Sequence, residues 1–362
     1  MTAISPRPGI LDLTPYVGGD VDEEGKARVI KLSSNESALG PSPRAVEAYR
    51  ATAAKLHRYP DGACARLREA IAGREGIEPD RIVCGNGSDE LISLLTRAYA
   101  GPGDQVLHSE YGFVMYRLSA LACGAEPVAA PERDYTAQVD ALLERVGDKT
   151  RLLFLANPNN PTGTYLPAAE LGRLHATLPR EVLLVIDAAY AEFLSRNDYV
   201  AGAELVDGAE NVVMLRTFSK IHGLAGVRLG WAYCSQDVAD VLNRVRGPYN
   251  VTAPAQAAGV AALADLAHVD AARAHNHTWL PWLTEKLGAA GLEVVPSVAN
   301  FLLVRFPADG ARGADQANAY LSARGIFPRG MGIYGLPNCL RITIGLEQEN
   351  RELAAALAEF MA

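Results

Sequence analysis

The run Thr217-Phe218-Ser219-Lys220-Ile221-His222-Gly223-Leu224-Ala225-Gly226-Val227-Arg228 sets a lysine in an apolar, glycine-rich turn, directly after a strand-like stretch from Val212 to Leu215. Apolar surroundings disfavour the charged amine, and a neutral lysine can attack an aldehyde carbon. The hydroxyls of Thr217 and Ser219, the bare backbone amides and Arg228 suit a phosphate ester held beside it. An aldehyde that carries a phosphate describes pyridoxal phosphate. For an arbitrary lysine, a solvated loop position is the default reading. Here the neighbours argue against it.

Three further segments carry compatible chemistry. Leu155-Ala156-Asn157-Pro158-Asn159-Asn160-Pro161-Thr162-Gly163 follows an apolar strand, at the end where open α/β sheets bind ligands, and Asn160 could donate its amide to a phenolate-like oxygen. A plain turn would use the same Asn-Pro and Pro-Thr-Gly pairs. The apolar run Val182 to Ile186 ends in Asp187-Ala188-Ala189-Tyr190. A carboxylate there is costly to bury without a cation, and a protonated pyridinium is one. A structural cap is the simpler alternative. In Cys84-Gly85-Asn86-Gly87-Ser88-Asp89-Glu90, glycines precede a helix start that can hold phosphate, although a capped tight turn explains the residues equally well. Tyr111, Phe113 and Tyr116 offer rings that could stack on a planar cofactor or simply fill core. Arg341, in Leu340-Arg341-Ile342-Thr343-Ile344, is a guanidinium on an apolar strand, suited to a bidentate carboxylate or a structural ion pair.

Positioning these groups requires a scaffold. Short apolar runs at 81–84, 105–108, 126–129, 152–155, 182–186, 211–215 and 230–234 predict strands, and amphipathic stretches at 88–100, 112–122, 137–145, 166–177 and 236–246 predict helices between them. Continuous Val/Ile/Leu runs indicate a sheet buried on both faces, hence an α/β fold with a mostly parallel central sheet. Beyond residue 250 the pattern changes. A long helical stretch at 253–289 is followed by strands at 293–295, 301–306 and 338–344 and helices at 313–324 and 347–361, an α+β style. The expected organisation is an irregular N-terminal arm (1–40) that packs on the small domain or a partner subunit, a large cofactor-binding domain (41–250) and a small C-terminal domain (251–362).

Composition narrows the classes. The chain has 362 residues, 49% hydrophobic and 21% charged, with a net charge of −8 that argues against a general nucleic-acid binder. Its five scattered cysteines form no C-x-x-C pair, so neither a metal site nor a disulfide framework is expected, and a cytoplasmic location is. The N-terminus lacks a signal-peptide pattern, and no apolar run is long enough to span a membrane.

The set Asn160, Asp187, Tyr190, Lys220 and Arg228 resembles the cofactor site of fold-type I pyridoxal-phosphate aminotransferases in order, spacing and local sequence. More narrowly, the chain resembles the histidinol-phosphate aminotransferase family. The matching runs are Leu32-Ser33-Ser34-Asn35-Glu36 with Gly40-Pro41-Ser42-Pro43, Arg58-Tyr59-Pro60-Asp61, Gly85 to Glu90, Ala156 to Gly163, the lysine run, and Tyr334-Gly335-Leu336-Pro337 leading into Leu340-Arg341-Ile342. The resemblance implies a large and a small domain around pyridoxal 5′-phosphate and a homodimer with shared active sites. It implies that Lys220 carries the cofactor and moves the substrate proton. Asp187 would hold the pyridinium, Asn160 and Tyr190 the phenolic oxygen, and Phe113 the ring face. Gly87, Ser88, Asp89, Thr217, Ser219 and Arg228 would surround the phosphate, with Tyr59 reaching the neighbouring subunit's phosphate. Arg341 would take the carboxylate of L-glutamate or its keto acid, 2-oxoglutarate. Arg329 and Tyr16 would meet the phosphate of histidinol phosphate, with Asn35 as a further substrate contact. Two departures stand out: Ser109-Glu110-Tyr111-Gly112-Phe113 lacks the family's usual Pro-Thr, which leaves Tyr111 beside Phe113 as a stacking candidate, and Ser37 stands where an asparagine often follows Asn35-Glu36.

The leading expectation is ping-pong amino transfer between glutamate and a histidinol-phosphate skeleton, in histidine biosynthesis. An aromatic amino-acid aminotransferase is the nearest rival, and a decarboxylase on the same scaffold or a non-catalytic binding protein are weaker ones. A nucleotide-binding oxidoreductase would need a G-x-G-x-x-G pattern that Gly223 to Gly230 do not form.

Overall fold

The computed structural model describes residues 29–308 and 310–362, together with positions 4, 6, 7, 9–13, 15 and 18. Its centre is a seven-stranded sheet. The strands in chain order are β1 (Ile82–Gly85), β2 (Gln105–Ser109), β3 (Glu126–Ala130), β4 (Thr150–Ala156), β5 (Leu183–Asp187), β6 (Val212–Thr217) and β7 (Gly230–Tyr233). In space they lie in the order β1-β7-β6-β5-β4-β2-β3, and only β7 runs antiparallel to its neighbours. All seven expected strands form, within a residue or two of their predicted bounds.

The continuous apolar runs are explained by burial on both faces. Along β4, Leu152 and Phe154 enter one core while Leu153 and Leu155 enter another. Both sheet faces are therefore covered, and alternate residues of each strand feed opposite cores. Helices Ser88–Tyr99, Val114–Cys123 and Gln236–Val245 contribute to the first of these cores, and helices Ala65–Glu75 and Ala168–Thr177 to the second.

A second, antiparallel sheet has four strands: β8 (Glu293–Val294), β9 (Phe301–Arg305), β10 (Arg329–Met331) and β11 (Leu336–Thr343), with β11 between β9 and β10. Its core includes Leu283, Leu302, Leu321, Ile342 and Leu353. Three features differ from the sequence expectation, the first being strand β10, which is not among the expected strands. The stretch 253–289 is two helices, Ala253–Ala264 and Leu266–Ala289, divided at Asp265, whose side chain accepts the His268 N–H as an N-cap. Within the N-terminal segment, Ile30 and Lys31 pair in parallel with Ile326 and Phe327, and Ile30 and Leu32 are buried in the second sheet's core. That pairing brings Ser33, Ser34 and Asn35 to the gap between the two sheets.

Candidate active site

Strands β6, β5 and β4 are neighbours, and each ends in a turn bearing a candidate group: Lys220 after β6, Asp187 and Tyr190 at the end of β5, Asn160 after β4. The turns meet in a cavity of about 290 Å³. One end is closed by the start of helix Ser88–Tyr99, where Gly87 has φ +83° and a Cβ would lie 2.4 Å from the Arg228 guanidinium. Gly230 is equally constrained, since a Cβ there would lie 2.4 Å from the Ser88 nitrogen. These close approaches leave backbone N–H groups, Thr217, Ser219 and Arg228 around one small space.

Each group has a defined electrical state. Burial, reinforced by the Arg341 charge, lowers the Lys220 pKa to about 8, and Nζ donates to the Ser34 carbonyl at 3.2 Å. Burial raises Asp187 to about 6, against the opposing hydrogen bond that its Oδ2 accepts from Tyr116 at 2.8 Å. Its Oδ1 is buried and has no hydrogen-bond partner among the described residues. Burial also pushes the Tyr190 phenol up, against the pull of Arg341, so it keeps its proton. The Tyr190 oxygen accepts from Asn35 Nδ2 at 2.9 Å, which leaves that proton available for donation. Asn160 Oδ1 accepts from Arg341 at 2.5 Å, so the donors of the amide remain for another partner.

The opposite end of the cavity is cationic. Arg329 and Arg341 sit directly across from each other on β10 and β11, both buried and both lining the cavity. Facing like charges destabilise a strand pair. Their placement suits anionic ligand groups. Arg341 also donates to the Ser33 carbonyl at 2.6 Å.

The structure thus gathers Ser88, Asp89, Phe113, Asn160, Asp187 and Tyr190 around one space with Thr217, Ser219, Lys220 and Arg228, and it adds Asn35, Arg329 and Arg341 at the far end. Asp89 lines the cavity, and its carboxylate holds Arg228 at 3.1 Å. Phe113 lines the cavity, whereas Tyr111 packs elsewhere, 5.9 Å from Tyr135. Tyr59 lies outside the cavity, exposed and stacked on Tyr249 at 4.6 Å. Tyr16 lies outside the described residues. Sequence reasoning offered Tyr116 only as a stacking or core ring and missed it as the buried partner of Asp187, and it assigned no role to Glu36, which lines the cavity and pairs with Lys31 at 2.9 Å. Tyr116 stood in a stretch of candidate rings, but nothing in the sequence tied its hydroxyl to Asp187.

The aminotransferase class I and II family matches residues 27–357, and the chain belongs to it. It is a pyridoxal-phosphate-dependent transaminase. It is 60% identical over 361 residues to a histidinol-phosphate aminotransferase of Paramagnetospirillum magneticum, covering 100% of this chain and 99% of that one. Identity to the histidinol-phosphate aminotransferase of Rhodospirillum centenum is 58%, with the same coverage. Among solved structures, histidinol-phosphate aminotransferase from Sinorhizobium meliloti in complex with pyridoxal-5′-phosphate superposes with a TM-score of 0.90 at 31% identity, covering 99% of this chain and 98% of that one.

The residues present fit that cofactor. Asp187 Oδ1 is a buried acceptor with no donor among the described residues, which a pyridinium N–H would satisfy. The Gly87–Ser88 turn and Arg228 form a phosphate cradle that a Cβ at Gly87 would fill. Lys220 lies in the same cavity with its amine partly neutral near pH 8.

Proposed function

We propose that this transaminase moves an amino group between L-glutamate and the keto form of histidinol phosphate, both substrates using one site in turn. The observation that carries this reading is the facing pair Arg329 and Arg341 in the cavity, supported by the names of the relatives. Arg341, beside Asn160 and Lys220, takes the carboxylate of glutamate. Arg329 takes the phosphate of histidinol phosphate, with Tyr16 and Asn35 as further contacts.

Pyridoxal phosphate, when bound, supplies an electron-withdrawing ring that stabilises negative charge at the substrate Cα. The chain's own residues do the rest. Lys220 would hold the cofactor, then carry the proton from the substrate Cα across the amino nitrogen to the cofactor's aldehyde carbon, and back the other way in the second half-reaction, work suited to an amine whose pKa is lowered to about 8. Asp187 keeps the ring nitrogen protonated. Tyr190 and Asn160 donate to the phenolic oxygen, and Phe113 covers the ring. Thr217, Ser219, Arg228 and the amides of Gly87, Ser88 and Asp89 hold the phosphate.

Further parts of the reading concern the assembly. We infer a homodimer in which Tyr59, exposed on its own chain, reaches the partner's cofactor phosphate. The division into an arm (1–40), a cofactor-binding unit (41–250) and a smaller unit (251–362) is also our reading. The packing of Ala255, Ala258 and Ala262 with Leu67 and Ile71 favours moving the last break to Asp265. Five free cysteines favour a reducing cytoplasm. No described helix is long and apolar enough to cross a membrane.

A half-reaction screen tests the substrate. Cofactor-loaded protein is mixed with histidinol phosphate, glutamate, phenylalanine or tyrosine, and the loss of visible absorbance is followed. Histidinol phosphate and glutamate are expected to react, with phenylalanine about thirty- to a hundredfold slower in kcat/KM, because a charge-assisted phosphate contact contributes about 2–3 kcal/mol. Equal rates for phenylalanine and histidinol phosphate would overturn the assignment in favour of the aromatic reading, which the relatives do not favour.

A further inference from the structure

Strands β5 and β6 run side by side until Asp187 opposes Leu215, and the Ala188 N–H closes the ladder on the Leu215 carbonyl at 2.9 Å. Beyond that point the two chains separate into the Tyr190 turn and the Lys220 turn. A buried cluster of charge connects them again. Arg216, the residue before Thr217, is buried and places Nη2 2.8 Å from Glu192 Oε1 and Nη1 3.4 Å from Glu75 Oε2. Its guanidinium carbon stands 5.5 Å from the centre of the Trp231 ring on β7. Glu192 belongs to the short turn Ala191–Phe193 that follows Tyr190. The same Glu192 oxygen lies 4.0 Å from Nε2 of His222, which follows Lys220 in the other turn. Burial pushes His222 down to about 4, so it is neutral at pH 7 and meets Glu192 as a dipole while Arg216 meets it as a charge. None of the three lines the cavity.

Buried ion pairs are weak contributors to stability, and apolar residues of similar volume often replace them without loss. This pair lies where the hydrogen bonds between β5 and β6 have run out, although β6 still pairs with β7, and where a small change of separation would move reacting groups. We propose that Glu192 is a positioning residue of the transamination reaction: through Arg216 and His222 it fixes the Tyr190 turn against the Lys220 turn. The inference rests on the roles assigned above to Lys220 and Tyr190. Misplacement of this order at a reacting centre costs large factors in rate, because catalytic geometry tolerates little error.

The test is Glu192→Gln, which keeps size and removes charge, measured on the cofactor-loaded enzyme. The expected result is a fall in kcat of about tenfold or more, with KM for glutamate within about threefold. The pH midpoint of the cofactor's visible absorbance should also rise by at least about half a unit, because a displaced Tyr190 hydroxyl no longer stabilises negative charge on the phenolic oxygen. A lowered Tm with kcat and midpoint unchanged would show a merely structural pair and overturn the proposal. The variants Arg216→Gln and Glu192→Gln/Arg216→Gln complete the cycle. The double variant strands neither charge, so it keeps the test available if a single variant folds poorly, and it should shift the midpoint no further than Glu192→Gln. A shift equal to the sum of the two single variants would contradict one connected device. Wild-type protein that takes up the cofactor without an absorbance band that borohydride abolishes would refute the site assignment itself, and the proposal with it.

Discussion

At one end of the cavity, Lys220, Asp187 and Asn160 follow three adjacent strands of a single sheet; at the other, Arg329 and Arg341 stand on a separate sheet, with Asn35 brought in by the N-terminal segment. The first end contains groups whose protonation is displaced by burial: Lys220 down to about 8 and Asp187 up to about 6. The second contains two guanidinium groups, a side chain that is cationic in proteins as a rule. On the proposed function, the difference separates two tasks. Reacting atoms need tuned acids and bases fixed by a rigid sheet, while substrate recognition needs constant charge at a set distance.

Substitutions should therefore fall into two groups. Lys220→Ala is expected to have the largest effect, lowering kcat by more than about 10⁴-fold for every substrate, since in the proposed mechanism one residue both carries the cofactor and transfers the proton. Stopped-flow half-reactions measure it, and a loss confined to one substrate would break the distinction. Asp187→Asn should lower kcat by about 10²–10³-fold, again for all substrates. In the cofactor-free protein the same change should raise Tm at pH 8. The sign follows from the raised pKa. The native state binds more protons than the unfolded chain between about 4 and about 6, so Asp187 costs stability progressively across that window, and the full cost, on the order of a few kcal/mol, persists above it. An apo Tm that falls at pH 8 would contradict this state of Asp187.

Arg329→Gln probes the other end. Its kcat/KM for histidinol phosphate should fall by about 10²-fold or more, with a much smaller loss for phenylalanine. Parallel losses on both substrates would remove the phosphate role. The rate of cofactor uptake by the apo protein should increase with pH through about 8, as Lys220 becomes neutral, where an ordinary lysine would titrate near 10.5. The smallest effect expected is that of Tyr111→Phe, about twofold or less in kcat, against about tenfold for Phe113→Ala, because only Phe113 lines the cavity.

The two ends also differ in how far they could be read from sequence. Fully buried strands announce themselves as unbroken Val/Ile/Leu runs, and the groups in the turns after β4, β5 and β6 follow those runs directly, so the cofactor end was legible. Strand β10 has three residues, and the Ile30–Lys31 pairing with Ile326–Phe327 has two on each side. Segments so short carry no usable period, and their partners lie far away in sequence. The facing of Arg329 and Arg341 depends on that unseen strand. The break at Asp265 was hidden for another reason: helix formers continue on both sides, and only the Asp265 side chain ends one helix and starts the next. Tyr116 and the Glu192–Arg216 pair were illegible because each joins segments through side chains, which leave no periodic trace.

Borohydride reduction of the cofactor-loaded enzyme, followed by proteolysis and mass mapping, tests the central claim most directly. The account predicts a single phosphopyridoxyl label, on the peptide that contains Lys220. A label on Lys26, Lys31, Lys55, Lys149 or Lys286 instead, with Lys220 unmodified, would contradict it.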